Sequence, residues 1–197
     1  MSKGVLFTKR IIFAKDKKKF VNTPSMEKNF KELLPLVRAF AFDVDGVLSS
    51  QTVPMSAEGV PMRTANIKDG YALQLAVKLG FKIAIITGGD SPAIRRRYEG
   101  LGIRDIYMGQ STKKGAYEDW RDKYGLKDSE IMYMGDDMPD VPLLRMAGVP
   151  VCPVDACVDA KQECRYISPY KGGECCVRDV IEQVLRSQDL WGDDHSW

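Results

Sequence analysis

From residue 37 onward the chain repeats one pattern: an apolar run of strand length, a polar break, then apolar positions at helical spacing. Residues 37–42, 81–86, 103–108 and 131–134 read as strands, with weaker candidates at 149–151 and 165–167. Their β-branched and aromatic content favours extended backbone in runs this short. Helical spacing covers residues 69–79, 92–99, 114–124, 139–146 and 178–186, the second opening behind Ser91 with a proline at its first position. Strands alternating with helices predict an α/β protein built on a Rossmann-like, doubly wound parallel sheet covered on both faces. Residues 49–66 break the rhythm. Two extended stretches around Ser56-Ala57-Glu58-Gly59 read there as a small β-hairpin inserted after the first strand. The expected organisation is an N-terminal extension over 1–25, one domain over 26–190 and a tail over 191–197.

Charge changes this picture only at the N-terminus. Residues 1–25 hold seven basic side chains against one acid, whereas the rest holds 22 basic and 26 acidic residues. A basic stretch of this kind is able to touch nucleic acid or membrane. The plainer reading is a poorly ordered terminus, with Met26 as a candidate natural start. No nucleic-acid or membrane partner is expected. The apolar pieces of the extension are split by Lys9-Arg10, so neither is a signal-peptide core, and a cytoplasmic location is expected. The five cysteines, none in a C-x-x-C pair, then read as reduced thiols.

Composition narrows the chemistry further. The one histidine, His195, stands three residues from the end, which argues against Ser-His-Asp hydrolases, histidine-ligated zinc enzymes and histidine-nucleophile phosphatases. No cysteine is followed by arginine six positions later, and no Gly-Lys pair marks a P-loop. Carboxylates, lysine and backbone amides are left to do the work.

Those groups fall at the carboxyl ends of the predicted strands, where open α/β sheets bind ligands. The first strand runs into Asp43-Val44-Asp45-Gly46, the second into Thr87-Gly88 and the third into a loop ending at Lys113. The fourth runs into Gly135-Asp136-Asp137-Met138-Pro139-Asp140. Each acid on its own serves equally well as a helix N-cap. Clustered together, carboxylates repel one another unless a cation neutralises them, and an all-oxygen set suits Mg²⁺. With lysine and loop amides added, the rim fits a phosphate dianion. One carboxylate is then able to attack phosphorus, and a second, two residues on, to protonate the leaving oxygen.

The Asp43-Val44-Asp45-Gly46-Val47-Leu48 run, Thr87-Gly88, Lys113 and Gly135-Asp136-Asp137-x-x-Asp140 resemble the four motifs of the haloacid dehalogenase superfamily. The resemblance implies Asp43 as nucleophile and Asp45 as general acid/base. It implies Thr87, Gly88 and Lys113 as phosphoryl ligands, with Mg²⁺ on Asp43, the Asp45 carbonyl and Asp136. Asp137 and Asp140 would act behind these or through water, Asp137 on the substrate side. The short insert makes this a capless member. Asn66-Ile67-Lys68-Asp69-Gly70-Tyr71, Gly109-Gln110-Ser111-x-Lys113 and Gly172-Gly173 are similar to the 3-deoxy-D-manno-octulosonate 8-phosphate phosphatase family of lipopolysaccharide biosynthesis. That resemblance implies a homotetramer assembled through the hairpins, with substrate contacts from Asn66, Ile67, Lys68, Asp69, Gly70 and Arg97. Gly89 and Asp90 stand where many relatives carry arginine, Gln74 where some do, and Glu174 replaces the arginine of a Gly-Gly-Arg. Arg97, Arg63 or Lys68 would then supply the positive charge. A nine-carbon, sialic-type acid 9-phosphate is the alternative substrate, although its phosphatases tend to carry glutamate at Gly89. A phospho-aspartate receiver module fits less well, because the D-x-D here ends the first strand and no acid ends the third.

Overall fold

The computed structural model describes residues 29–192. The expected extension over 1–25 and residues 193–197 of the tail lie outside the described residues. In chain order the elements are α1 (Phe30–Leu33), β1 (Ala39–Phe42), α2 (Ile67–Lys78), β2 (Lys82–Ile86), α3 (Pro92–Glu99), β3 (Asp105–Tyr107), α4 (Lys114–Lys123), β4 (Ile131–Met134), α5 (Val141–Met146), β5 (Val149–Cys152), α6 (Val158–Glu163), β6 (Tyr166–Ile167) and α7 (Cys176–Ser187). The six strands form one sheet in the order β3-β2-β1-β4-β5-β6, and every pairing is parallel.

Strand β1 shows how the sequence builds two layers. Its Ala-Phe-Ala-Phe alternation sends Phe40 and Phe42 to one face and Ala39 and Ala41 to the other, all fully buried. The phenylalanine face packs against α1, α2, α3 and α7, with Leu73, Ile94, Val180 and Val184 in the same core. The alanine face leaves room for the bulky Tyr117 and Trp120 of α4, with Leu143, Leu144 and Ala160 from α5 and α6 beside them. A sheet buried on both faces explains why strands read as near-continuous apolar runs.

Three elements differ from the sequence expectation, the first being α1, a single turn that no periodicity marks and that Asn29 caps by accepting from Lys31 N at 3.1 Å. Residues 49–66 form a hairpin-like arm with one antiparallel bridge, Met55 to Pro61, in place of two strands. Pro54 and Pro61 lack the N–H that a ladder needs. The turn itself is tight: Ser56 N donates to Val60 O at 2.9 Å, and Gly59 adopts the left-handed φ of 77° that the turn requires. Helix α6 was not anticipated, since its cap is Cys157, whose Sγ accepts from Ala160 N at 3.4 Å, an unusual capping group. At the C-terminal end, Trp191 packs on Tyr71 and beneath the Arg178 guanidinium, anchoring the first residue of the expected tail to the domain. Among the described residues no helix is long and apolar enough to cross a membrane.

Candidate active site

Strand order reverses at β1, whose neighbours are β2 on one side and β4 on the other. Chains leaving these carboxyl ends diverge, which opens a crevice. A cavity of about 690 Å³ lies there, lined by Asp43, Asp45, Thr87, Gly88, Lys113, Asp136, Asp137 and Asp140 among others. The four separate motifs thus meet in one place.

Local backbone bonds hold each group. The β1 ladder continues through Asp43 N to Met134 O (3.1 Å), then turns through Ser49 N to Val44 O (2.8 Å), with Gly46 in the left-handed region at φ 84°. A Cβ at Gly46 would stand 2.0 Å from Asp136 Oδ2, so the glycine also makes room for the carboxylate beside it. Thr87 Oγ1 accepts from Gly89 N at 3.1 Å, which shapes the loop after β2.

Lys113, at the start of α4, is buried with its Nζ 2.8 Å from Asp43 Oδ2 and 2.6 Å from Asp140 Oδ1. Burial works against the ammonium charge, but Asp43 and Asp140 outweigh it and raise the lysine pKa. Asp140 is the hub. Its Oδ1 also accepts from Tyr133 OH at 2.5 Å, and its Oδ2 accepts from Asp136 N at 3.0 Å and Asp137 N at 3.4 Å. Its oxygens are committed to shaping the loop and holding the lysine.

Asp43, Asp136 and Asp140 each offer an oxygen, all within 4.8 Å of one another. Asp140 is already engaged as described, whereas Asp43 Oδ1 is buried with no hydrogen-bond partner among the described residues. Burial, then Asp140, push the Asp43 pKa to about 6 against the opposing pull of Lys113. Burial, then Asp140, Asp43 and Asp137, push Asp136 to about 7. Two crowded carboxylates, one with an orphaned oxygen, are an all-oxygen donor set that a hard divalent cation satisfies.

Not every expected residue faces this cavity. Asn66 caps α2, accepting from Lys68 N (2.9 Å), and donates to Gly173 O (3.0 Å). Ile67 is 84% exposed. Lys68 lines a separate groove with Arg178 and Glu182. Asp69 is buried and accepts from Arg178 N at 2.6 Å, and its pKa is raised to about 6 by burial. Arg97 folds over Gly70 and lines a neighbouring recess with Arg63. Within one chain, residues 66–70 brace α2 against the 173–178 segment. Gln51, Asp155 and Tyr133 were missed by sequence reading. Gln51 Nε2 donates to Asp155 O at 2.9 Å and lies 3.4 Å from Asp136 Oδ2. No motif marks Gln51 or Asp155, and Tyr133 reads as one more apolar strand residue. Gly172-Gly173 has a steric reason: a Cβ at Gly172 would lie 2.0 Å from Gly46 O.

A family model described as haloacid dehalogenase-like hydrolase matches residues 67–148. The 3-deoxy-D-manno-octulosonate 8-phosphate phosphatase of Escherichia coli is 33% identical over 152 residues, covering 77% of this chain and 81% of that protein. The enzyme of the same name from Yersinia pestis superposes with a TM-score of 0.79 at 30% identity, over 82% of this chain and 87% of that one. The Moraxella catarrhalis enzyme, solved with magnesium, phosphate and its sugar acid, gives 0.78 at 34% identity, over 81% and 92%. The chain belongs to the haloacid dehalogenase superfamily and, within it, to the 3-deoxy-D-manno-octulosonate 8-phosphate phosphatase family.

Proposed function

We propose that this protein is a Mg²⁺-dependent phosphatase that hydrolyses 3-deoxy-D-manno-octulosonate 8-phosphate to the free sugar acid and inorganic phosphate. The observation that carries it is the meeting of Asp43, Asp45, Lys113 and Asp136 in one cavity at the switch point. It is supported by relatives of that name at 33% identity.

In the mechanism, the Thr87 hydroxyl, the Gly88 amide and Lys113 hold the phosphoryl oxygens. The Asp43 carboxylate attacks phosphorus and forms an acyl phosphate as the bond to the sugar oxygen breaks, while Asp45 gives that oxygen a proton. Asp45 then takes a proton from water, whose oxygen attacks the same phosphorus. Inorganic phosphate leaves and the Asp43 carboxylate is restored. Mg²⁺, held by the Asp43 and Asp136 side chains and the Asp45 carbonyl, would neutralise the charge gathered here. Asp137, exposed at the rim, faces the substrate side.

The finer assembly is a homotetramer. Met55, Val60 and Met62 on the arm are all at least half exposed, an apolar patch that packing between copies would cover. Contacts from the exposed Ile67 and Lys68 would then be made to a neighbouring subunit's site, since within one chain they face away from the cavity, whereas Asp69 and Gly70 are buried and Arg97 borders the recess beside Arg63. Five free thiols suit the reducing cytoplasm.

The test is phosphate release from a panel of eight-carbon, nine-carbon and neutral sugar phosphates, with and without Mg²⁺. Fastest turnover of the eight-carbon substrate, lost on chelation, is expected. Preference for the nine-carbon substrate would move the assignment to the sialic-type acid, and a single turnover without phosphate release would point to a receiver.

A further inference from the structure

Arg63, on the returning limb of the arm, lays its guanidinium across Asp45. Nε donates to Oδ1 at 2.7 Å and Nη2 to Oδ2 at 2.8 Å, so one planar fork engages both carboxylate oxygens. The Asp45 side chain is 46% exposed at the cavity mouth, while Arg63 is only 16% exposed. Gly89 makes this possible. A Cβ there would lie 2.6 Å from Arg63 Nη2 and 3.3 Å from Asp45 Oδ2. Gly89 is not among the residues of positive φ, so its backbone is open to any side chain, and what glycine supplies is space. On the far side, Arg63 lines a recess of about 420 Å³ together with Arg97. Two guanidinium groups thus border one hollow beside the acid/base.

An aspartate gripped on both oxygens is not free to hand a proton to a leaving oxygen. Arg63 must let go first, and a second carboxylate is the group best shaped to draw a guanidinium fork away. We propose that Arg63 is a latch on Asp45, released when the fork exchanges the aspartate for the carboxylate of the sugar-acid substrate. The inference rests on the phosphatase reading above and deepens it: the substrate's own acid group frees the catalytic acid. A phosphate ester without a carboxylate leaves the latch shut. Arg63 is in this sense a positioning residue for Asp45, and Gly89 is its clearance.

The experiment measures kcat and KM for two alkyl phosphates, 3-deoxy-D-manno-octulosonate 8-phosphate and glucose 6-phosphate, which has no carboxylate. Both leaving oxygens need a proton. Arg63→Ala should raise kcat on glucose 6-phosphate about five-fold, the worth of a partly exposed ion pair. It should lower kcat/KM on the sugar-acid phosphate roughly ten- to hundred-fold, the worth of a hydrogen bond between charged groups. Gly89→Ala, whose Cβ would push Nη2 away from Asp45 Oδ2, should move both quantities in the same directions to a smaller extent, and the double variant should match Arg63→Ala. Arg63→Lys, a point charge unable to span both oxygens, should fall between. If Gly89→Ala fails to fold, the two Arg63 variants still decide. Equal losses on both substrates in Arg63→Ala would overturn the latch, as would an Arg63→Ala enzyme with unchanged kcat on glucose 6-phosphate. A wild type with equal kcat on the two substrates leaves the phosphatase standing and removes the latch. A wild type releasing no phosphate from either removes both.

Discussion

Without its cation, the site should make the folded protein less stable as pH rises, and removing one carboxylate should reverse that. Asp136 goes from an ordinary value of 3.8 to about 7 on folding, and Asp43 from 3.8 to about 6. Both carboxyls titrate higher in the folded state, so the folded state holds their protons more tightly. The stability this lends is complete below about pH 4 and is lost as pH climbs through 6 and 7. For Asp136, roughly three units at about 1.4 kcal/mol each comes to about 4 kcal/mol at pH 8. The Asp136→Asn variant keeps the shape and removes the charge. In chelator at pH 8 it should melt about 10 °C above wild type, at 2–4 °C per kcal/mol for a domain of this size. At pH 5 the gap should shrink to less than half, because wild-type Asp136 is then largely protonated. Saturating Mg²⁺ at pH 8 should raise wild type and leave the variant nearly unmoved. Thermal melts at both pH values, with and without Mg²⁺, settle the matter. An Asp136→Asn protein that melts at or below wild type at pH 8 in chelator would refute the idea of a charge-strained site.

Three further outcomes are expected. Asp43→Asn should abolish phosphate release while its circular dichroism stays that of wild type, because the proposed nucleophile is lost and the fold is not. Tyr133→Phe should cost about 1–2 kcal/mol in denaturant melts and lower kcat more than it changes KM, since Asp140 loses its 2.5 Å donor while still holding Lys113. Charging the arm with Met55→Glu and Val60→Glu should give monomers by light scattering, with most of the sugar-acid kcat/KM gone. Monomers of undiminished activity would mean that the walls come from within one chain.

Strand placement was legible because β1, β4 and β2 after its exposed first residue, Lys82, are buried on both faces, so those positions are apolar and the first polar side chain beyond each is an acid or a threonine. Three of the four motifs were legible for the same reason, since the first polar residue after a buried strand is where a ligand is met; Lys113 stands six residues past β3, behind Gln110, Ser111 and Thr112. What sequence did not reveal is how the pieces lean on one another. Tyr133 reads as core until Asp140 is seen at its hydroxyl. Gln51 and Asp155 are 104 residues apart and meet only because β5 lies two strands from β1. The prolines that stop the 49–66 arm from forming a ladder are visible in sequence, but their effect depends on which N–H groups face the partner limb. Gly89 read as a lost arginine, and only the position of Arg63 shows what occupies the vacated space.

The turn that carries Asp43 and Asp45 is built from the start of the domain but closed from its far end. Gly173 N donates to Val47 O at 2.8 Å, and Gly172 lies so close to Gly46 that even a methyl group would not fit. During synthesis, every group of the proposed chemistry has been made once Asp140 emerges, yet the brace on the turn of Asp43 and Asp45 arrives only with residue 173. A growing chain should therefore have a sheet before it has an enzyme. Premature stops between 141 and 172 would then leave species that hold all the reactive groups and none of the activity.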